Sequence, residues 1–175
     1  IAALAANGKT EILGICGGFQ MLGRRIDDPA GIEAAPGSTT NALGLLPVAT
    51  RLMPEKILKR VEGKHLLSGL RVSGYEIHHG LTDDGNLTSC LRTDSGESIG
   101  LAVEEGRIWG TYLHGLFDAD AFRRWWIDRL RMQRGWKACG KMRAVYDLEP
   151  AFERLAAAVR ENVDMKAIYQ IMGLK

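Results

Sequence analysis

The sequence has few cysteines, and they form none of the patterns found in disulfide-rich or zinc-binding proteins. Its 175 residues include only Cys16, Cys90 and Cys139, and no two of these form a C-x-x-C pair. An odd number of scattered cysteines is typical of a reducing compartment. We therefore expect a cytoplasmic protein with no disulfide framework and no metal site in this chain.

Long apolar runs and a strong charge imbalance are missing as well. No stretch approaches the roughly 18 apolar residues that a membrane-spanning helix needs. The 23 Lys and Arg residues nearly balance the 21 Asp and Glu residues, which leaves a net charge of +2. A charge this small does not indicate binding to nucleic acid or to an anionic membrane. The sequence therefore predicts a globular protein that binds neither.

What is present indicates one α/β domain. Apolar residues make up 46% of the chain and charged residues 25%, which suits a single domain with a sizeable core. The chain starts without methionine, and its first residues look like the end of a helix that stops at Asn7 and Gly8. We expect residues 1–175 to form one domain that lacks its first strands, with residues 119–175 as its helical C-terminal part.

Hydrophobic periodicity predicts a mixed sheet with helices packed on it. We predict an exposed loop at 34–43 and strands and helices elsewhere. The predicted strands are at 12–15, 45–50, 56–61, 70–78, 99–103 and 107–114, and the predicted helices are at 118–134, 148–162 and 165–172.

The sequence GICGG at residues 14–18 predicts a reactive turn between a strand and a helix. The Gly-x-Ser-x-Gly elbow of hydrolases has the same layout, with a serine at the position that Cys16 occupies here. A sharp turn crowds the backbone, so we expect Gly14 and Gly18 to be required for their missing Cβ atoms. The N–H of Gly17, the residue after the nucleophile, is the expected first donor of an oxyanion hole.

A thiol nucleophile needs a base, and the chain offers four histidines. We expect His114 to project from a strand end, at the sheet edge where open α/β sheets build their sites. His78 and His79 alternate to opposite faces of a strand, so at most one can face the site. His65 lies in a polar turn and is expected to be exposed.

Four motifs in order resemble those of class I glutamine amidotransferases of the cobalamin-biosynthesis branch. They are GICGGFQMLG at 14–23, IDDPAGIE at 26–33, GYEIHHG at 74–80 and GTYLHGLFD at 110–118. With GLLPV at 44–48, they resemble the C-terminal glutaminase domain of cobyric acid synthases. The resemblance implies a flavodoxin-like fold whose mixed, mostly parallel sheet is flanked by helices.

The same resemblance implies roles for individual residues. Cys16 would attack the side-chain amide of glutamine to form a γ-glutamyl thioester. His114 would protonate the departing amine and then activate the hydrolytic water. Gln20 matches the family glutamine that contacts the substrate. Three further residues, whose separate roles stay open, lie in the segment placed near the glutamine pocket, as orienting or pocket residues: Tyr75, Glu76 and His78.

The resemblance also implies partners outside this chain. The ammonia would amidate carboxylates of adenosylcobyrinic acid a,c-diamide in an N-terminal synthetase domain that uses ATP and magnesium. The P-loop pattern G-x-x-x-x-G-K-[ST] is absent from this sequence. We therefore expect no cofactor in this domain, and we expect the corrinoid acceptor to bind elsewhere.

Two departures from the family pattern leave alternatives open. Many class I amidotransferases have a glutamate two residues after the histidine, where this chain has Leu116. The third catalytic group is then undefined, with Glu76 and Asp118 as candidates, and no second oxyanion donor is evident. The other interpretations are a cobyrinic or hydrogenobyrinic acid a,c-diamide synthase, a non-catalytic interaction module, and a cysteine peptidase on a related fold.

Overall fold

The computed structural model describes residues 1–174. The chain forms two compact units, Ile1–Met142 and Arg143–Lys175, with Lys175 outside the described residues. The first unit contains an eight-stranded sheet and three helices, and the second contains two helices. Among residues 1–174, no helix is long and apolar enough to cross a membrane.

The strands follow one another along the first unit, with helices at its start, after the first strand and at its end. The strands are β1 (Ile12–Ile15), β2 (Arg25–Asp28), β3 (Ser38–Asn41), β4 (Ala49–His65), β5 (Arg71–Thr82), β6 (Thr88–Thr93), β7 (Ser98–Val103) and β8 (Ile108–Thr111). The helices are α1 (Ala2–Ala6), α2 (Gly17–Leu22) and α3 (Asp120–Gln133), followed in the second unit by α4 (Glu149–Asn162) and α5 (Met165–Ile171).

The sheet is mixed, and its strand order is β1-β8-β7-β6-β4-β2-β3, with β5 paired to β4. This confirms an α/β fold with a mixed sheet. Two pairings, β1 with β8 and β2 with β4, are parallel. The other five are antiparallel, so among the described strands the expected parallel majority is not found. Short connections explain the difference, because a parallel pair needs a long crossover whereas consecutive strands joined by short turns pair antiparallel.

Helices cover both faces of the sheet around β8. Side chains alternate along this strand, so Ile108 lies in a core cluster with Phe19 of α2, while Trp109 lies in a second cluster with Phe122 of α3. Both rings on the α3 side are almost fully buried. The end of β8 is therefore held rigidly between two cores.

The structure confirms the predicted strand at 12–15 and all three predicted C-terminal helices to within about two residues. It differs at 34–43, predicted as a loop, because Ser38–Asn41 pairs with Arg25–Asp28 as an edge hairpin. The turn between them is built on Asp28, whose carboxylate accepts hydrogen bonds from the N–H groups of residues 32, 33 and 34. These backbone donors lower the pKa of Asp28. In the sequence this hairpin is marked by its turn residues and not by an alternation of apolar and polar residues. The strand β6 is likewise not predicted from the sequence.

His65 is buried, which corrects the expectation of an exposed turn residue. Its ring is only 4% exposed and lies within about 5.5 Å, centroid to centroid, of Trp109, Phe122 and Trp125. The N–H of Ser68 donates to its Nδ1 at 3.2 Å. Burial, together with the nearby positive charge of Arg129, lowers the pKa of His65 to about 4. The apolar neighbours come from distant parts of the chain, so local sequence did not reveal them.

This environment predicts a loss of stability in mild acid. Below about pH 6.5 the unfolded chain binds a proton at His65, whereas the folded chain does not until about pH 4. The free energy of unfolding should therefore fall by about 3 kcal/mol between these pH values through this residue alone. Urea unfolding of the parent and of His65→Gln at pH 7, 5.5 and 4.5 measures it. Equal pH dependence in both proteins would contradict the assignment.

Candidate active site

Cys16 lies in a strained turn between β1 and α2. Its φ is 54° and its ψ is −117°, a backbone conformation that residues with a Cβ rarely adopt. Such strain is held only where surrounding structure fixes it, and it clusters at functional sites. Here the N–H of Cys16 donates to the carbonyl of Thr111 at 2.9 Å, which ties the turn to the end of β8. The predicted elbow is therefore present.

The structure confirms the expected steric role of Gly14 but not that of Gly18. A Cβ on Gly14 would lie 2.5 Å from the carbonyl oxygen of Gly18 and 2.7 Å from the nitrogen of Phe19, so α2 packs directly on this residue. Gly110, which pairs with Gly14 across the two strands, has no room either, because a Cβ there would lie 2.1 Å from the Phe19 ring. A Cβ on Gly18, in contrast, would meet no atom within 4 Å, so its expected steric role is wrong.

The thiol of Cys16 is partly buried and points toward β5. Its Sγ lies 3.7 Å from the carbonyl oxygen of Ile77, which accepts from the thiol. Among the described residues, no hydrogen bond joins Cys16 to His114. Gly17, the expected oxyanion donor, is exposed in the first turn of α2, where N–H groups have no partner within the helix. The N–H of Gly17 is thus left without a partner in its own helix.

His114 follows β8 and is fixed against β5. Its N–H donates to the carbonyl of Tyr75 at 2.8 Å, and the N–H of Tyr75 donates back to its carbonyl at 3.1 Å. The two rings stack, with centroids 5.1 Å apart and planes 8° from parallel. The Nε2 atom of His114 is buried and has no hydrogen-bond partner among residues 1–174. This nitrogen is therefore held in place without being committed to another group.

The carboxylates considered as partners of the histidine lie elsewhere. Glu76 is buried, and its Oε2 lies 3.2 Å from the ammonium nitrogen of Lys59. Asp118 is exposed, with its carboxylate close to Gly115. Leu116, at the position where many relatives of the class carry a glutamate, is buried in the core. The ion pair of Glu76 with Lys59 leaves the third catalytic group undefined.

His78 shares the buried face of β5 with Glu76, whereas His79 points to the other face, as the alternation predicts. The Nδ1 of His78 donates to the carbonyl of Gly80 at 2.7 Å. The ring of His78 stacks on that of Tyr112, with centroids 3.6 Å apart. Burial lowers the pKa of His78 despite that carbonyl and the charge of Glu76. The lowered pKa favours the neutral imidazole, in which Nδ1 carries the proton and Nε2 is an acceptor without a hydrogen-bond partner among residues 1–174.

Gln20 is buried, with an exposed fraction of 7%, and belongs to a polar chain beneath the elbow. Its Nε2 donates to the hydroxyl of Tyr112 at 3.4 Å. That hydroxyl lies 2.6 Å from the Thr82 hydroxyl, which lies 2.7 Å from the Thr50 hydroxyl. A Cβ on Gly80 would lie 2.3 Å from Gln20 Nε2, so the motif glycine makes room for this chain.

A polar cavity of about 160 Å³ adjoins these side chains. Its lining includes Lys59, Glu76, His78, Gly80 and Tyr112. The lining thus combines the imidazole of His78, the ion pair of Glu76 with Lys59, and the phenol of Tyr112, whose pKa burial raises.

Comparison with known proteins identifies the family to which this arrangement belongs. Residues 1–122, more than half of the chain, match the family described as the CobB/CobQ-like glutamine amidotransferase domain. The chain belongs to this family. The resemblance of the four motifs to glutamine amidotransferases of cobalamin biosynthesis is confirmed.

Similar proteins are cobyric acid synthases and a related bifunctional protein. Cobyric acid synthase of Nitratidesulfovibrio vulgaris is 43% identical over 194 residues, which cover 93% of this chain and 36% of that protein. The adenosylcobalamin biosynthesis bifunctional protein CobDQ of Leptospira interrogans is 45% identical over 175 residues, 99% of this chain and 20% of that protein. Cobyric acid synthase of Thermodesulfovibrio yellowstonii is 38% identical over 174 residues, 98% of this chain and 35% of that protein. The chain spans about a third or less of their length.

The CobB/CobQ-like domain thus gathers most of its predicted site residues around β5. The Cys16 thiol donates to the carbonyl of Ile77, and His114 forms a backbone bridge with Tyr75, both on β5. His78, also on β5, stacks on the Tyr112 ring. Sequence reasoning missed the role of Tyr112. Its place in the motif GTYLHGLFD, two residues before His114, was a usable signal.

The glycines around Cys16 give a matched pair of substitutions. Gly14→Ala should lower the free energy of unfolding by about 1–3 kcal/mol, because the added methyl group meets backbone atoms that cannot move without shifting α2. Gly18→Ala should leave it unchanged or raise it by up to about 1 kcal/mol, since alanine favours the helix and meets no neighbour. Urea unfolding measures both. Similar losses in the two variants would contradict the packing described for the elbow.

Proposed function

We propose that this domain hydrolyses glutamine through Cys16 and His114 and supplies the ammonia to an amide-forming reaction of cobalamin biosynthesis. The observation that carries the proposal is the strained elbow of Cys16, joined to the end of β8 at Thr111, three residues before His114 is fixed against β5. In an amidotransferase domain this arrangement offers a nucleophile and a base at one sheet edge.

The proposed reaction has two halves. The Cys16 thiol gives its proton to His114, and the sulfur attacks the carboxamide carbon of glutamine. The N–H of Gly17 donates to the oxyanion that forms. His114 then returns the proton to the leaving nitrogen, so that ammonia departs and a γ-glutamyl thioester remains on Cys16.

Water completes the cycle. His114 takes a proton from a water molecule, whose oxygen attacks the thioester carbon and displaces the sulfur. The proton returns to Cys16, and glutamate is released. Gln20, held by Tyr112 beneath the elbow, supports the glutamine pocket from below, and the face of β5 that bears Glu76 and His78 contributes to the adjoining wall.

We further propose that the ammonia is used outside this chain. In the cobyric acid synthase interpretation, an N-terminal synthetase domain, with ATP and magnesium, amidates carboxylates of adenosylcobyrinic acid a,c-diamide. The identity to proteins named cobyric acid synthase supports this acceptor over that of an a,c-diamide synthase. Glutamine is thus the substrate of this domain, and the corrinoid belongs to the synthetase domain.

Substitution of Cys16 tests the hydrolysis. Cys16→Ala should lower kcat for glutamine hydrolysis by roughly a thousandfold or more, because no thioester can form. Cys139→Ser, at another partly buried cysteine, is the matched control and should keep the parent rate. Production of glutamate is measured in an enzyme-coupled assay. A Cys16→Ala protein as active as the parent would exclude Cys16 as the nucleophile.

A glutamine-site affinity label separates a catalytic domain from a non-catalytic one. The diazoketone 6-diazo-5-oxo-norleucine should label the parent once, at Cys16, and peptide mapping by mass spectrometry locates the adduct. Excess glutamine should protect the thiol. A protein that is neither labelled nor able to hydrolyse glutamine would be an interaction module with an amidotransferase fold, and cleavage of peptides in place of glutamine would indicate a peptidase.

A further inference from the structure

A catalytic histidine must be oriented, and among the residues that the structure describes no carboxylate is seen to orient His114. A Cys–His pair commonly has a third group that holds the imidazole in one position. The position two residues after His114 is Leu116, which is 1% exposed and part of the apolar core. The carboxylate of Glu76 lies against Lys59, and that of Asp118 is exposed. The orientation must therefore come from other contacts.

The contact made by the ring of His114 is with Tyr75. Parallel planes 8° apart and a centroid separation of 5.1 Å are the geometry of an offset aromatic stack. A stack of this kind restricts rotation about the bonds that aim the imidazole, because turning the ring would break the face contact. The Tyr75 hydroxyl makes no hydrogen bond to residues 1–174, so the aromatic face is the part that acts.

The backbone fixes the two partners of this stack against each other. Two reciprocal hydrogen bonds join Tyr75 to His114 in a bridge that belongs to no regular strand pairing. The approach is so close that a Cβ on Gly74 would lie 1.8 Å from the His114 carbonyl oxygen. Because both main chains are held, a small side-chain rotation cannot be compensated by movement of the loop after β8.

We propose that Tyr75 is a positioning residue that replaces the missing carboxylate: its ring, stacked on the imidazole, keeps the buried Nε2 of His114 aimed for proton transfer with Cys16. This proposal rests on the function proposed above. It assigns a task to an aromatic side chain that is 46% exposed and would otherwise count as surface. It also explains why Gly74 and Tyr75 are adjacent in the motif. Gly74 allows the two main chains to come close together, and Tyr75 then stacks on the ring of His114.

The test compares three variants of the protein. Tyr75→Leu should lower kcat for glutamine by about 10- to 100-fold with little change in KM, because misaligned catalytic groups slow the chemistry more than binding. Tyr75→Phe keeps the ring and should restore kcat to within about twofold of the parent. Tyr169→Leu is the control and should keep the parent kcat: this tyrosine of α5, in the second unit, is 48% exposed, much as Tyr75 is.

A second measurement does not depend on glutamine turnover. Alkylation of Cys16 by iodoacetamide, followed by mass spectrometry with Cys139 as the internal reference, should slow in Tyr75→Leu and recover in Tyr75→Phe. The ring protons of His114 should also lose the ring-current shift that Tyr75 causes, and they should regain it in Tyr75→Phe. These readouts show whether the imidazole was held by the stack.

The outcomes separate the two proposals. If the parent fails to hydrolyse glutamine while Cys16 alkylation still depends on the ring at position 75, the proposed function fails and the positioning role stands. If Tyr75→Leu keeps the parent values of kcat and of the alkylation rate, the positioning role is overturned. An equal loss in Tyr75→Phe and Tyr75→Leu would also overturn it, because the hydroxyl and not the face would then be needed.

Discussion

The packing of α2 on two paired glycines is the constraint on which the site depends. Gly14 and Gly110 face each other across the parallel pair β1 and β8, and neither has room for a Cβ. Because neither residue has a side chain, the backbone of α2 packs directly on Gly14 and the ring of Phe19 packs directly on Gly110. The sharp turn that follows from this packing holds Cys16 at a positive φ of 54°. The reactive turn is thus a consequence of close packing behind it.

The antiparallel part of the sheet supplies the other half of the site. The long hairpin of β4 and β5 contacts the chain beyond the end of β8, where Tyr75 forms a backbone bridge with His114. The carbonyl oxygen of Ile77, on the same strand, accepts a hydrogen bond from the Cys16 thiol. A doubly wound sheet would gather such groups from the ends of parallel strands. Here one parallel pair presents Cys16 and His114, and the hairpin of β4 and β5 contacts both.

Sequence reasoning located the elbow and His114 because both are encoded locally, by glycines and by the end of an apolar strand. It also gave the C-terminal helices from their periodicity. It failed where distant contacts decide: His65 is surrounded by three aromatic rings from β8 and α3, which no local pattern reveals. The same holds for Glu76, whose partner Lys59 lies on the adjacent strand. The motif gives no reason to treat Gly14 and Gly18 differently. Only the three-dimensional structure shows that a Cβ would clash at Gly14 and meet no neighbour at Gly18.

The polar chain beneath the elbow has a direction, and that direction is set at one end. The amide of Gln20 donates to Tyr112, and every hydroxyl along the chain is satisfied when Tyr112 donates to Thr82 and Thr82 donates to Thr50. Turning the amide by half a rotation would present an acceptor instead, and every hydroxyl along the chain would have to reverse. The order of donors and acceptors along these three hydroxyls is therefore coupled to a single side chain on α2, the helix that follows Cys16.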